Sequence, residues 1–167
     1  MINFQHHPLF FYGTLRSQEV RHAVLSKLEC SLTLVEGFIL GYDLFRVKNT
    51  NYPLILKNKH SQKRILGFIV YNHNQEIINK LDLFEGENYS RFKAHAFRLS
   101  DELKVEVELY MPNKKLEYCE PWIFENWLKL EKEGFFMKDF NKDGIKNLFF
   151  SINLRKYKCQ NWNYIIM

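Results

Sequence analysis

The chain has 167 residues, a length that suits one hydrophobic core, and its 46% hydrophobic and 26% charged residues exclude a disordered or membrane-spanning chain as the default. A net charge of +5 admits an acidic partner, yet Lys and Arg are scattered along the chain, so the charge reads as solvated surface and nucleic acid is not expected as a partner. Three widely spaced cysteines, Cys30, Cys119 and Cys159, match neither a disulfide framework nor a zinc ligand set, and the apolar run at residues 9–12 is far too short for a signal or membrane helix; a cytoplasmic protein without membrane contact is expected.

In chain order, residues 9–12 form a short apolar run that reads as a strand. It leads through Gly13 into a helix over 17–28, with Val20, Val24, Leu25 and Leu28 at helical spacing. Strands follow over 32–39, 42–47, 54–57 and 65–71, punctuated by Gly, Asn and Pro. A second helix spans 75–84 behind an Asn74 cap and carries Ile77, Ile78, Leu81 and Phe84 on one face. Strands over 92–99 and 104–110 complete a β-dominated part, the last alternating Val105, Val107 and Leu109 with Glu106 and Glu108. After Pro112 the pattern changes: residues 121–133 suit an amphipathic helix that Gly134 ends, and 145–167 show no period. Aromatic residues make up 16% of the chain, which is first a statement about packing.

Two constellations carry chemistry. In Phe10-Phe11-Tyr12-Gly13-Thr14-Leu15-Arg16 a strand turns through glycine toward a helix, where consecutive backbone amides favour an anion; the same residues also fit a plain strand-to-helix turn. In Leu81-Asp82-Leu83-Phe84-Glu85-Gly86-Glu87, Glu85 falls at a helix C-terminus between two further carboxylates. Partial burial there would hold its proton and make it a general base and acid; a solvated helix end before a glycine cap is the alternative. One of the three carboxylates suffices for proton transfer, so Asp82 and Glu87 are expected to matter much less. Downstream, Arg91 either grips a carboxylate or pairs with acidic neighbours to hold the loop, and the same choice applies to Tyr89.

Together these residues resemble the γ-glutamylcyclotransferase-like family, which includes the plant avirulence-induced proteins. Tyr12-Gly13-Thr14-Leu15 matches that family's first-strand loop, and Leu81, Asp82, Glu85, Gly86, Tyr89 and Arg91 match its second hallmark; Gly37, Gly41, Pro53 and Gly67 also fall where the family tends to have them. The resemblance covers about residues 9–111. It implies an α+β fold, a small mixed β-barrel flanked by helices, with a C-terminal helical extension: one domain over 1–167, its core about 8–113 and its extension 114–167. It also implies a small-molecule γ-glutamyl substrate, bound by Tyr12, Gly13, Thr14, Leu15, Tyr89 and Arg91. Glu85 is the implied catalytic residue, moving protons while the γ-glutamyl group closes to 5-oxoproline without metal or cofactor. A non-catalytic module that uses the same pocket to hold a partner is the competing reading.

The stretch Asp139-Phe140-Asn141-Lys142-Asp143-Gly144 begins like a calcium loop, but Phe150 stands where a bidentate glutamate is required, so a surface turn is expected. His6 and His7 have no acidic or thiol partner nearby in sequence and are not expected to bind metal.

Overall fold

The structure is a computed structural model and describes residues 6–140. Apolar pleats at period two put five strands into a closed barrel of order β1-β5-β2-β6-β7. These are β1 (Leu9–Phe11), β2 (Thr33–Ile39), β5 (Ile65–Tyr71), β6 (Tyr89–Arg98) and β7 (Lys104–Pro112). The barrel closes at β1, which runs antiparallel to β5, with Phe10 opposite Ile69, and parallel to β7, with Leu9 opposite Glu108. A second sheet of order β4-β3-β8 joins β3 (Tyr42–Val47), β4 (Pro53–Lys57) and β8 (Tyr118–Pro121).

The run at β1 is apolar because both its faces are buried. Phe10 and Tyr12 point into the barrel with Ile55, Ile69, Val107 and Leu109. Leu9 and Phe11 point outward, under helix α1 (Gln18–Leu25) and helix α2 (Gln75–Glu85). Val20, Val24 and Leu25 of α1 and Ile77, Ile78 and Leu81 of α2 fill this outer core. Asn74 caps α2, its Oδ1 accepting the Ile77 N–H at 3.0 Å. On β7 the expected alternation is present: Val107 and Leu109 face the barrel interior, while Glu106 and Glu108 pair outside with Lys93 and Arg91.

Three expectations change. The first helix stops at Leu25, because Ser26 takes a φ of 52° that an α-helix cannot continue, and a 3₁₀ turn spans Ser26–Ser31. Pro121 lies in β8 rather than in a helix; Arg46 on β3 and Lys48 just after it hold that four-residue strand and its approach through Glu120 and Glu117. The C-terminal helix begins at Phe124 and runs past Gly134 to Asp139, with wider π-turns at Trp127–Glu131 and Phe135–Asp139. Gly134 does not end it but continues it beside Asn51, whose Nδ2 would be in ordinary contact, 3.4 Å, with a Cβ at that position. This tract sends Trp127, Phe135 and Phe140 into the outer core. Residues 145–167 lie outside the described residues. None of the described helices is long and apolar enough to cross a membrane.

Candidate active site

Strand β1 ends at Phe11, and the chain turns through Tyr12 and Gly13 into a single 3₁₀ turn, Thr14–Arg16, before α1 begins. A Cβ on Gly13 would come within 2.9 Å of the Pro53 ring, so only glycine lets the turn pass this close to β4. Arg21 fixes the turn from behind. It is buried, donates from Nη1 to the carbonyls of Leu15 and Arg16 at 2.8 Å each, and pairs with the buried Glu29 at 3.2 Å.

Facing this turn, α2 ends on Glu85. Gly86 adopts a φ of +72° and donates its N–H to the Asp82 carbonyl, which stops the helix there and aims the glutamate inward. Tyr12, Gly13, Thr14, Leu15, Glu85 and Tyr89 all line one cavity of about 70 Å³. Glu85 also borders an open depression of about 870 Å³ on its other side and keeps partial exposure as a residue. Its carboxyl is nonetheless desolvated, and that burial, aided by the charge of Asp82, lifts its pKa from 4.5 to about 8.

The remaining site residues divide the work. Tyr89 lines the cavity and donates its hydroxyl to the Pro53 carbonyl at 3.1 Å, which seats the proline against Gly13. Tyr12 donates to the carbonyl of Tyr110, and Tyr110 donates to Asp82 Oδ1 at 2.7 Å. Burial raises the pKa of both phenols, with Glu85 adding to the rise at each, so both stay protonated. Arg91 does not line the cavity. It faces the outer depression and is held by Asp82 at 3.1 Å and Glu108 at 2.8 Å, as the pairing alternative expects. Glu87 is exposed.

Several lining residues carried no sequence signal. Tyr110, Phe135, Asp139 and Phe140 reach the cavity from strands and helices distant along the chain. Asp139, first residue of the calcium-loop-like stretch, accepts two hydrogen bonds from Asn51; residues 141–144 of that stretch lie outside the described residues. His6 stacks near His73 and His7 pairs with Glu106 at 3.3 Å, a partner remote in sequence.

Barrel, cavity and inward carboxyl together define a small closed-barrel protein with an acid-lined internal site. The chain belongs to the family described as gamma-glutamyl cyclotransferase, AIG2-like, whose model matches residues 9–129. Protein AIG2 C of Arabidopsis thaliana is 27% identical over 134 residues, 78% of this chain and 78% of the relative. AIG2-like protein C of the same plant is 29% identical over 132 residues, 77% of this chain and 73% of the relative. A solution structure from Arabidopsis thaliana aligns with a TM-score of 0.61 at 26% identity, over 81% of this chain and 89% of that one. A structure of a gamma-glutamyl cyclotransferase aligns with a TM-score of 0.57 over 73% of this chain and 75% of its own; at 14% identity, that likeness carries the fold alone.

Proposed function

We propose that this protein is an enzyme that cyclises the γ-glutamyl group of a γ-glutamyl amine or peptide to 5-oxoproline and releases the free amine. The observation that carries the reading is Glu85: a carboxyl desolvated in a small cavity, opposite a glycine turn, with its pKa lifted to about 8.

The backbone amides of Gly13, Thr14 and Leu15 hold the substrate's α-carboxylate, since a turn without a side chain at its head allows close approach. The α-amino nitrogen attacks the γ-carbonyl carbon of the same molecule, forming the ring C–N bond as the amide C–N bond breaks. From start to finish the α-nitrogen goes from NH₃⁺ to a ring N–H, and the departing nitrogen goes from N–H to NH₃⁺. Two protons thus travel between the same two atoms, and Glu85, alternately accepting and donating, carries them. Nucleophile and electrophile share one molecule, so orientation supplies much of the rate and no redox or group-carrying cofactor is required. Tyr12 and Tyr110, kept as phenols, hold the wall behind the carboxyl. The odd, widely spaced cysteines favour the reducing cytoplasm as the setting.

The test is a screen of γ-glutamyl compounds for release of 5-oxoproline. Glu85→Gln keeps the shape but not the proton, so turnover should fall by about 10² to 10⁴ while ligand binding is retained. Turnover near that of the wild type in Glu85→Gln would remove this mechanism. Binding of γ-glutamyl compounds by the wild type with no release from any of them would favour a non-catalytic module.

A further inference from the structure

A second concavity, of about 360 Å³, lies between β3, the start of β5 and the residues that join β8 to the C-terminal helix, and it shares no lining residue with the cavity around Glu85. Two buried donors on its lining residues, Trp122 Nε1 and Arg16 Nε, find no acceptor among the described residues. Trp122 is only 5% exposed, and its place is fixed, because its backbone N–H donates to the Leu44 carbonyl at 3.1 Å. Both side chains pack on one ring, that of Phe124, with the Arg16 guanidinium carbon 4.1 Å and the Trp122 ring centroid 6.0 Å from its centroid. Glu125 stands 3.8 Å from Arg16 Nη2, beyond hydrogen-bond length, and is itself largely exposed. The other charges of the groove are engaged: Arg64 with Glu102 at 2.7 Å, Asp43 with Asn58 and Ser61 at 2.6 and 2.9 Å, and Lys63 near Asp43 at 3.9 Å. Where the groove meets solvent its walls are apolar, with Leu66 44% and Ile123 50% exposed.

A buried donor without an acceptor costs the folded chain its desolvation, and a buried guanidinium costs more, because it stays charged at any ordinary pH. Burial pulls the pKa of Arg16 down, and the charges of Glu125 and Glu36 offset this only in part. A carboxylate answers both donors: it accepts from the indole N–H and gives the guanidinium a hydrogen-bonded counter-charge. A neutral acceptor would do only the first. The apolar walls, with Phe45 and Phe124 among them, favour an aromatic or alkyl body behind that carboxylate. We propose that this groove is a binding site for a small arylalkyl carboxylate, whose carboxylate accepts from Arg16 and Trp122 while its ring lies against Leu66 and Ile123. The site is independent of the cyclisation reading.

The test is calorimetry on the full chain with 4-phenylbutyrate as the probe and 4-phenylbutanamide as its uncharged counterpart, so binding is read without turnover. The carboxylate should bind with a Kd below about 1 mM and at least about tenfold more tightly than the amide, the difference between a charge-assisted and a neutral hydrogen bond. Arg16→Met should bring the two affinities together. Ile123→Glu, a change at an exposed residue, puts a like charge on the apolar wall and should weaken the carboxylate by at least about tenfold; it carries the test if Arg16→Met fails to fold. In proton–nitrogen NMR spectra the indole signal of Trp122, identified by its loss in Trp122→Phe, should move as the probe is added. The indole signal of Trp127, already bonded to the Asn51 carbonyl at 2.6 Å, should stay in place. Absence of binding, equal affinity of the wild type for carboxylate and amide, full affinity in Ile123→Glu, or binding that leaves the Trp122 signal unmoved would each overturn the inference.

Discussion

Glu85 and Asp82 stand about one turn apart on α2, and their environments give them different tasks. Asp82 accepts from Tyr110 and Arg91 at the outer depression, while Glu85 turns into the cavity. Asp82 also raises the pKa of Glu85, second to burial, so it adds to the pH at which Glu85 ionises. Under the proposed cyclisation Glu85 must be ionised to take the first proton, so kcat/KM of the wild type should climb with pH through about 8. Asp82→Asn removes the neighbouring charge, so the climb should move to lower pH; a profile that stays in place or moves up would contradict this. The sequence reading already set Asp82 and Glu87 beside Glu85 as carboxylates, and the structure singles out Asp82 as the one whose charge adds to the rise. The glycine turn and Glu85 were legible as local patterns. Asp139 was not, since its partner Asn51 lies 88 positions away.

At the scale of elements, the glycine turn depends on α1. Arg21 ties that helix to the carbonyls of Leu15 and Arg16, and its charge is balanced by Glu29. Arg21→Met should destabilise the protein by about 3 to 5 kcal/mol, because Glu29 would be left buried and unpaired. The double variant Arg21→Met/Glu29→Met should recover much of that stability without restoring the turn, so KM should stay raised while the urea midpoint returns toward wild type. A double variant with normal KM would show that the turn holds its shape unaided. Helix α2 and strand β7 were readable in advance because one has a capped 3.6-residue period and the other a clean alternation. Strand β8 was not, being four residues long, ending in proline and held by an ion pair to β3. The end of the C-terminal helix was misread because Gly134 is a breaker by propensity, whereas burial of Phe135 and Phe140 in the outer core carries the helix past it.

For the whole molecule, a carboxyl whose pKa is raised by folding makes stability depend on pH. Between 4.5, its ordinary value, and about 8 the folded protein keeps the proton on Glu85 and the unfolded chain loses it, so this group lowers stability as pH rises through that window. Glu85→Gln lacks the effect. Its melting temperature should match that of the wild type near pH 4.5 and exceed it above pH 8; a gap independent of pH would show that Glu85 does not titrate in that range. The barrel carries a different consequence. The strand that leads into the glycine turn is seated between β5 and β7, with Leu9 opposite Val70 and Glu108. β1, the first of the described strands in chain order, must therefore wait for β7, and its pairings are among the most distant between the described strands. Until β7 has been made, the glycine turn has neither a closed barrel behind it nor Tyr110 beside it. The pocket comes into being with the closing of the barrel, so a nascent or partly folded chain has no site to offer a ligand before the barrel is complete.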